Sequence, residues 1–213
     1  MDAPLIVCPV PVRSPSHPVE AVDGCDLMEL RLDYLRSGHL EAIMESRGLP
    51  AVVTIRDPRE GGVHPLAEEE KAALLERALG LGFMVDAEME FLSRHPLGPG
   101  GVIASRHVLG RRASWRVLGG DYARASSLGY PIYKAAAGEG DVPLLSRLLL
   151  MAGGGRVGGT RVAAMVLGSK AARAALAMLG SALLYCSVGE PTAAGQLSLG
   201  ECLGLVEFMR GLR

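Results

Sequence analysis

Asparagine is absent from this chain of 213 residues, glutamine occurs once, at Gln196, and lysine only three times, at Lys71, Lys134 and Lys170. Scarce amides with arginine-rich basic usage fit a thermophile, and a GC-rich genome gives a similar composition. An excess of either charge is also missing: 22 Lys and Arg face 23 Asp and Glu, for a net −1. Without a basic surplus nothing advertises binding to nucleic acid or to an anionic membrane, so an anionic ligand has to be held by a few local cations. The four cysteines, Cys8, Cys25, Cys186 and Cys202, form no CxxC pair and sit in apolar contexts. That usage predicts reduced, buried thiols in a cytoplasmic protein. No His or Cys cluster has ligand spacing, so no metal is expected. No apolar run approaches the length of a membrane span; the longest, LLSRLLLMAG, carries Arg147. The N-terminal apolar stretch is short, broken by prolines and lacks a charged leader, which reads as a first strand and not as a signal peptide.

What is present is a globular composition, 49% hydrophobic against 21% charged. A chain of this length can bury a substantial core, and residues 1–213 are expected to form one domain. Short β-type runs alternate with helical ones throughout. Strands are predicted over residues 5–12, 27–35, 51–57, 83–90, 101–108, 130–137, 161–168 and 182–189. Between them, EEEKAALLERALGLG places Leu74, Leu75, Ala78 and Leu79 at helical spacing behind glutamates that suit a helix start. DVPLLSRLLLMAGGG opens on Asp141 as an N-cap candidate, and the last helix opens on a capping-box pattern, Ser198 to Glu201. Eight β runs and roughly eight helical ones in strict alternation imply parallel strands with crossover helices. The count of eight, with neither GxGxxG nor GxxxxGK[ST] after any strand, favours a (βα)8 TIM barrel over a doubly wound open sheet.

Buried parallel strands should read as almost continuous apolar runs, and several here do not. Glu29, Arg31 and Asp33 alternate on the second strand, Thr54 and Arg56 on the third, Asp86, Glu88 and Glu90 on the fourth, and Ser105 and His107 on the fifth. In a barrel the C-terminal strand ends face the active-site mouth, so charge gathered there reads as catalytic or substrate-binding. Singly, Arg31, Asp33 or Glu90 reads equally well as a rim group paired to a neighbour. Lys134 is different: a lysine inside the apolar strand YPIYKAAA is costly unless paired or kept neutral, and a neutral lysine is what a Schiff-base nucleophile requires. His17, His39 and His95 read as surface residues, and His64 as a solvated loop histidine.

The segments ELRLDYL, TIRDPREGG, VDAEM, SRH, YKAAA and GEPTAAGQLS, taken in order from Glu29 to Gln196, resemble the signature segments of type I 3-dehydroquinate dehydratases. No one segment is decisive, but six in the right order at the ends of the right strands are specific. The resemblance implies a lyase that converts 3-dehydroquinate to 3-dehydroshikimate in the shikimate pathway, with no metal and no cofactor. It implies that Lys134 condenses with the substrate ketone, that His107 is the general base and acid, and that Glu60 orients this histidine. It further implies that Glu29, Arg31 and Arg56 contact the substrate and organise the pocket. Thr192, in place of a usual serine, and Gln196 fall in the loop that closes over the substrate. The family also implies a homodimer acting on a small anionic substrate.

One segment departs from the pattern. Where the family carries an arginine for the substrate carboxylate, the ungapped match to MVLGSKAARAAL places Ala175. Arg173 takes the role if the helix starts differently, and otherwise Lys170 does, without the bidentate fork of an arginine. Two other readings remain open: a class I aldolase or transaldolase, which shares the sixth-strand lysine, and a non-catalytic binder of shikimate-type ligands. The glycine-rich GGGRVGGTR precedes the seventh strand and reads as a helix stop and turn, not a phosphate site.

Overall fold

The computed structural model describes residues 3–16, 19–154 and 159–212. His17 and the middle of the GGGRVGGTR turn lie outside the described residues. Eight parallel strands follow the sequence reading closely: β1 (Leu5–Pro11), β2 (Leu27–Arg31), β3 (Ala51–Thr54), β4 (Met84–Glu88), β5 (Val102–His107), β6 (Ile132–Gly138), β7 (Arg161–Leu167) and β8 (Leu183–Ser187). Seven α-helices follow β2 to β8: α1 (His39–Glu45), α2 (Glu68–Gly80), α3 (Met89–Arg94), α4 (Trp115–Ser127), α5 (Val142–Gly154), α6 (Lys170–Met178) and α7 (Leu199–Gly211). The strict alternation fails once. Among the described residues no helix follows β1, whose connection to β2 is proline-rich and cannot keep a helical hydrogen-bond ladder.

Strand neighbours run β7-β6-β5-β4-β3-β2-β1-β8, curling the sheet into a (βα)8 barrel. Side-chain parity sorts the core into two layers. Even one-residue steps separate them on β6: Ile132 and Ala136 pack inside the barrel, whereas Tyr133, Ala135 and Ala137 pack outward under the helices. Val7, Val52, Ile103, Ala163 and Leu183 fill the inner layer at the apolar end. Two residues further along each strand, the same parity aims Glu29, Thr54, Asp86, Ser105, Lys134 and Tyr185 inward, all of them buried. The polar groups therefore gather in one layer in the C-terminal half of the barrel.

Between β7 and β8 the ladder opens. Ala182 N–H donates to Val162 C=O at 2.7 Å, and the Ser181 hydroxyl accepts from Ala164 N–H at 3.0 Å. A two-residue strand that the sequence did not signal, β9 (Leu197–Ser198), pairs with β8 at this opening. The loop before β9 closes the ring by accepting Gly168 N–H at the Ala194 carbonyl, 3.0 Å.

Several expectations are corrected. Glu90 is not on a strand; it lies in the first turn of α3, exposed, with Arg59 and Arg94. His39 is buried at the first position of α1. His95 is half-buried, stacked on Phe91 at 5.1 Å between ring centroids. Asp141 does not cap α5 but accepts Ala113 N–H at 3.1 Å. The cysteines are not free: Cys8 pairs with Cys25, and Cys186 with Cys202. Spacing alone could not show this, because each partner comes from a loop or helix folded back onto a strand. The capping box at Ser198 and Glu201 is present as expected. No helix among the described residues is long and apolar enough to cross a membrane.

Candidate active site

A cavity of about 260 Å³ opens at the C-terminal ends of the strands. Nine of the residues nominated from the sequence line it: Glu29, Arg31, Arg56, Glu60, His107, Lys134, Arg173, Thr192 and Gln196.

Lys134 sits on the inner face of β6. Its Nζ donates to Asp86 Oδ2 at 2.8 Å and to the Tyr185 hydroxyl at 3.1 Å, with Glu29 Oε1 at 3.7 Å. The burial cost of this lysine is therefore met by a carboxylate partner. Burial alone would raise the Asp86 carboxyl, but the charges of Arg56 and Lys134 outweigh it and hold the group far below the usual carboxylate range. Arg56 ties the layer together, reaching Asp86 Oδ1 at 2.7 Å, Glu88 Oε1 at 3.0 Å and Ser105 Oγ at 2.8 Å. Lys71, from α2, supplies a further counter-charge by pairing with Glu88. Thr54 donates to Glu29 at 2.9 Å. Arg31 is held by both Asp33 oxygens, at 2.7 and 2.8 Å.

Across the cavity, His107 ends β5. Glu60 Oε2 accepts the His107 backbone N–H at 2.8 Å and lies 3.1 Å from Nδ1, so one carboxylate fixes both the strand end and the ring. The Glu-Gly-Gly turn makes this reach possible. Gly61 adopts φ +91°, and a Cβ on Gly62 would fall 1.8 Å from the Arg56 carbonyl oxygen. Burial and the nearby Arg56 and Lys134 cations hold the imidazole well below its ordinary value, leaving it neutral. Burial also pushes Glu60 up to about 7, against the pull of Arg56 and the His107 N–H.

The third side of the cavity lies at the opening between β7 and β8. Arg173 turns inward from α6, 4% exposed, and donates to the Val166 carbonyl at 2.7 Å and the Ala194 carbonyl at 3.1 Å. Among the described residues no carboxylate pairs with it, and burial alone lowers its pKa to about 10. Lys170 is more than half exposed and pairs with Glu201, while Ala175 faces solvent. Of the two cations considered for an anionic ligand, the structure brings only Arg173 to the cavity. Gln196 accepts Thr192 N–H at 2.8 Å and its hydroxyl at 3.2 Å, which shapes the loop above.

A family model described as type I 3-dehydroquinase matches residues 16–213. The chain belongs to the type I 3-dehydroquinase family. Among its relatives, the 3-dehydroquinate dehydratase of Metallosphaera sedula is 31% identical over 92% of this chain and 94% of that protein. The one from Ignicoccus hospitalis is 32% identical over 90% and 88%. Of solved structures, the type I 3-dehydroquinate dehydratase of Clostridium difficile superposes with a TM-score of 0.78 at 18% identity, covering 100% of this chain and 94% of that one. At that identity it supports the barrel fold. Family membership bears out the reading of an enzyme, a hydro-lyase.

The sequence reading missed Tyr185 as a member of the site, and it placed Asp86 and Ser105 among the polar groups at the strand ends without giving either a role. Asp86 and Ser105 were visible as polar residues on strand faces, but their partners were not. Tyr185 stands in LLYCS, one aromatic with a polar tip on the inner parity of β8, and that parity was its only signal.

Proposed function

We propose that this cavity dehydrates 3-dehydroquinate to 3-dehydroshikimate in the shikimate pathway through a Schiff base on Lys134. The observation that carries the reading is a buried lysine amine at the cavity floor, facing an oriented neutral histidine, with an arginine left without a carboxylate partner. The Lys134 amine adds to the substrate ketone and water leaves, giving a protonated imine. That imine is an electron sink, so the neighbouring C–H becomes acidic enough for His107 to remove its proton and leave an enamine. The enamine electrons then expel the hydroxyl as His107 returns the proton, so a second water leaves. Water hydrolyses the product imine, restores Lys134, and the balance is the loss of one water.

Glu60 holds the imidazole by its Nδ1 side, leaving Nε2 for the substrate. Arg173 binds the substrate carboxylate, which supplies the missing counter-charge. Glu29, Arg31 and Arg56 contact the substrate and keep the polar layer in register, and Thr192 with Gln196 closes the loop above it. The reading includes a cytoplasmic enzyme that works as a homodimer without a metal or other cofactor. Exposed Leu203, Phe208 and Leu212 on and just after α7 support pairing of two copies.

Borohydride added to a mixture with 3-dehydroquinate should leave a reduced adduct on Lys134, mapped by peptide mass, while untreated samples develop enone absorbance. Lys134→Ala should give neither. Enone formation by Lys134→Ala at the wild-type rate would sink the Schiff-base reading.

A further inference from the structure

We propose that the Tyr185 hydroxyl is a further catalytic group of this cavity, relaying a proton from the Lys134 amine to the ketone oxygen as the carbon–nitrogen bond forms. This rests on the reading of Lys134 as the Schiff-base nucleophile.

Attack by a free amine leaves a surplus proton on nitrogen and a developing negative charge on the ketone oxygen, two bonds away. Direct transfer between the two runs through a strained four-membered ring, so an O–H group touching both atoms lowers the barrier. Among the described residues three side chains pair with Nζ: Asp86 at 2.8 Å, Tyr185 at 3.1 Å and Glu29 at 3.7 Å. Arg56, 2.7 Å from its other oxygen, holds Asp86 ionised against its burial, so it accepts and cannot donate. Glu29 stands beyond hydrogen-bond reach of the amine and already accepts from Thr54. His107, at the end of β5, is engaged by Glu60 from the turn after β3 and serves the carbon acid. Tyr185 is the remaining group, and it carries an O–H.

Its placement suits the task. Tyr185 projects from the inner face of β8 and is buried, and the lysine nitrogen lies 4.2 Å from its ring centroid. The phenol oxygen accepts from Nζ, and among the described residues no protein acceptor takes the phenol hydrogen. The cavity is the space left for it. Burial and the nearby Glu29 and Asp86 carboxylates push this phenol well above its ordinary pKa, so a free phenolate does not form. A relay needs none. The phenol oxygen takes a proton from nitrogen as its own proton goes to the ketone oxygen, giving a neutral carbinolamine and an unchanged phenol. The C–N bond forms, the carbonyl π pair moves to oxygen, and no proton is gained or lost overall.

Tyr185→Phe keeps the ring and removes only the hydroxyl. Rapid mixing with 3-dehydroquinate followed by borohydride, read by intact mass, measures the rate at which adduct becomes trappable. The variant should form adduct about a hundredfold more slowly, the lower range for positioned proton transfer. Imine formation should then limit turnover, and the primary isotope effect on the abstracted α-hydrogen should fall towards one. A merely structural role would not move that isotope effect. Wild-type trapping rates with an unchanged isotope effect in the variant would overturn the proposal and leave the Lys134 reading intact, whereas no adduct in the wild-type enzyme overturns both. A second measurement needs no variant: in mixed H₂O and D₂O, wild-type adduct formation should bend downward with deuterium fraction, as two moving protons require. A straight line also overturns the relay.

Discussion

The Glu60 carboxyl, pushed up to about 7 by burial, is ionised over only part of the pH range in which His107 is already neutral. An ionised Glu60 is the better partner for Nδ1–H, so kcat/KM should fall as pH drops through about 7. In Glu60→Gln that limb should vanish and kcat/KM should drop on the order of a hundredfold. Stability should move the other way. Between its ordinary value of 4.5 and about 7, the folded chain keeps a proton that the unfolded chain releases. Wild-type stability from this group is therefore full below 4.5 and is lost as pH rises to 7, by up to about 3 kcal/mol. Melting curves at pH 5 and 8 should show Glu60→Gln gaining on wild type as pH rises. Arg173 poses a related conflict, since its guanidinium is buried with carbonyls alone for partners. Arg173→Leu should melt at or above the wild-type temperature in the absence of substrate, yet raise KM about a hundredfold, as loss of a charge-assisted contact predicts. Sequence could nominate Arg173 but not choose it over Lys170, because the choice depends on where α6 begins. Gly168 and Ser169 turn the chain so that position 173 faces inward and position 175 faces water.

At the level of elements, the strands were legible because parallel strands buried on both faces are apolar runs, broken here only by inward polar residues. Boundaries ran long where a strand end gives way to a 3-10 turn, as after Arg31, or to a helix, as at Met89. The missing piece was β9, two residues that pair only because β7 and β8 diverge, which no local pattern encodes. Pairings such as Lys134 with Asp86 and Tyr185 were equally invisible, since they join positions 48 and 51 residues apart. The loop before β9 carries its own constraint. Gly195 has φ +69°, and a Cβ there would fall 2.4 Å from the Gly168 backbone. Gly195→Ala should therefore displace Ala194, whose carbonyl receives Gly168 N–H and Arg173. Steady-state kinetics should show KM rising at least about tenfold, equivalent to one lost hydrogen bond of about 1.4 kcal/mol. Unchanged KM would mean that the loop does not position Arg173 for substrate.

For the whole molecule, the two disulfides bind the regions where the chain's beginning and end meet. β1 pairs with β8, Cys8–Cys25 ties β1 to the connection before β2, and Cys186–Cys202 ties β8 to α7. The sulfurs lie away from the cavity, so the bonds act on stability and not on chemistry. They close loops of 17 and 16 residues, each worth about 3 kcal/mol through the unfolded chain's lost freedom. Reduction of both should lower the melting temperature by roughly 12–24 °C, at 2–4 °C per kcal/mol for a chain of this size. Activity at 25 °C should persist, because the folded barrel holds the site without them. Four titratable thiols in the native protein, with a melting temperature indifferent to reductant, would show instead that the cysteines are free. The pairing also bears on composition. Disulfides are rare in reducing compartments of mesophiles but common inside hyperthermophiles, and the absence of asparagine points to the same kind of organism. A reducing compartment of such an organism would not exclude either bond, and the thermal shift on reduction tests the pairing.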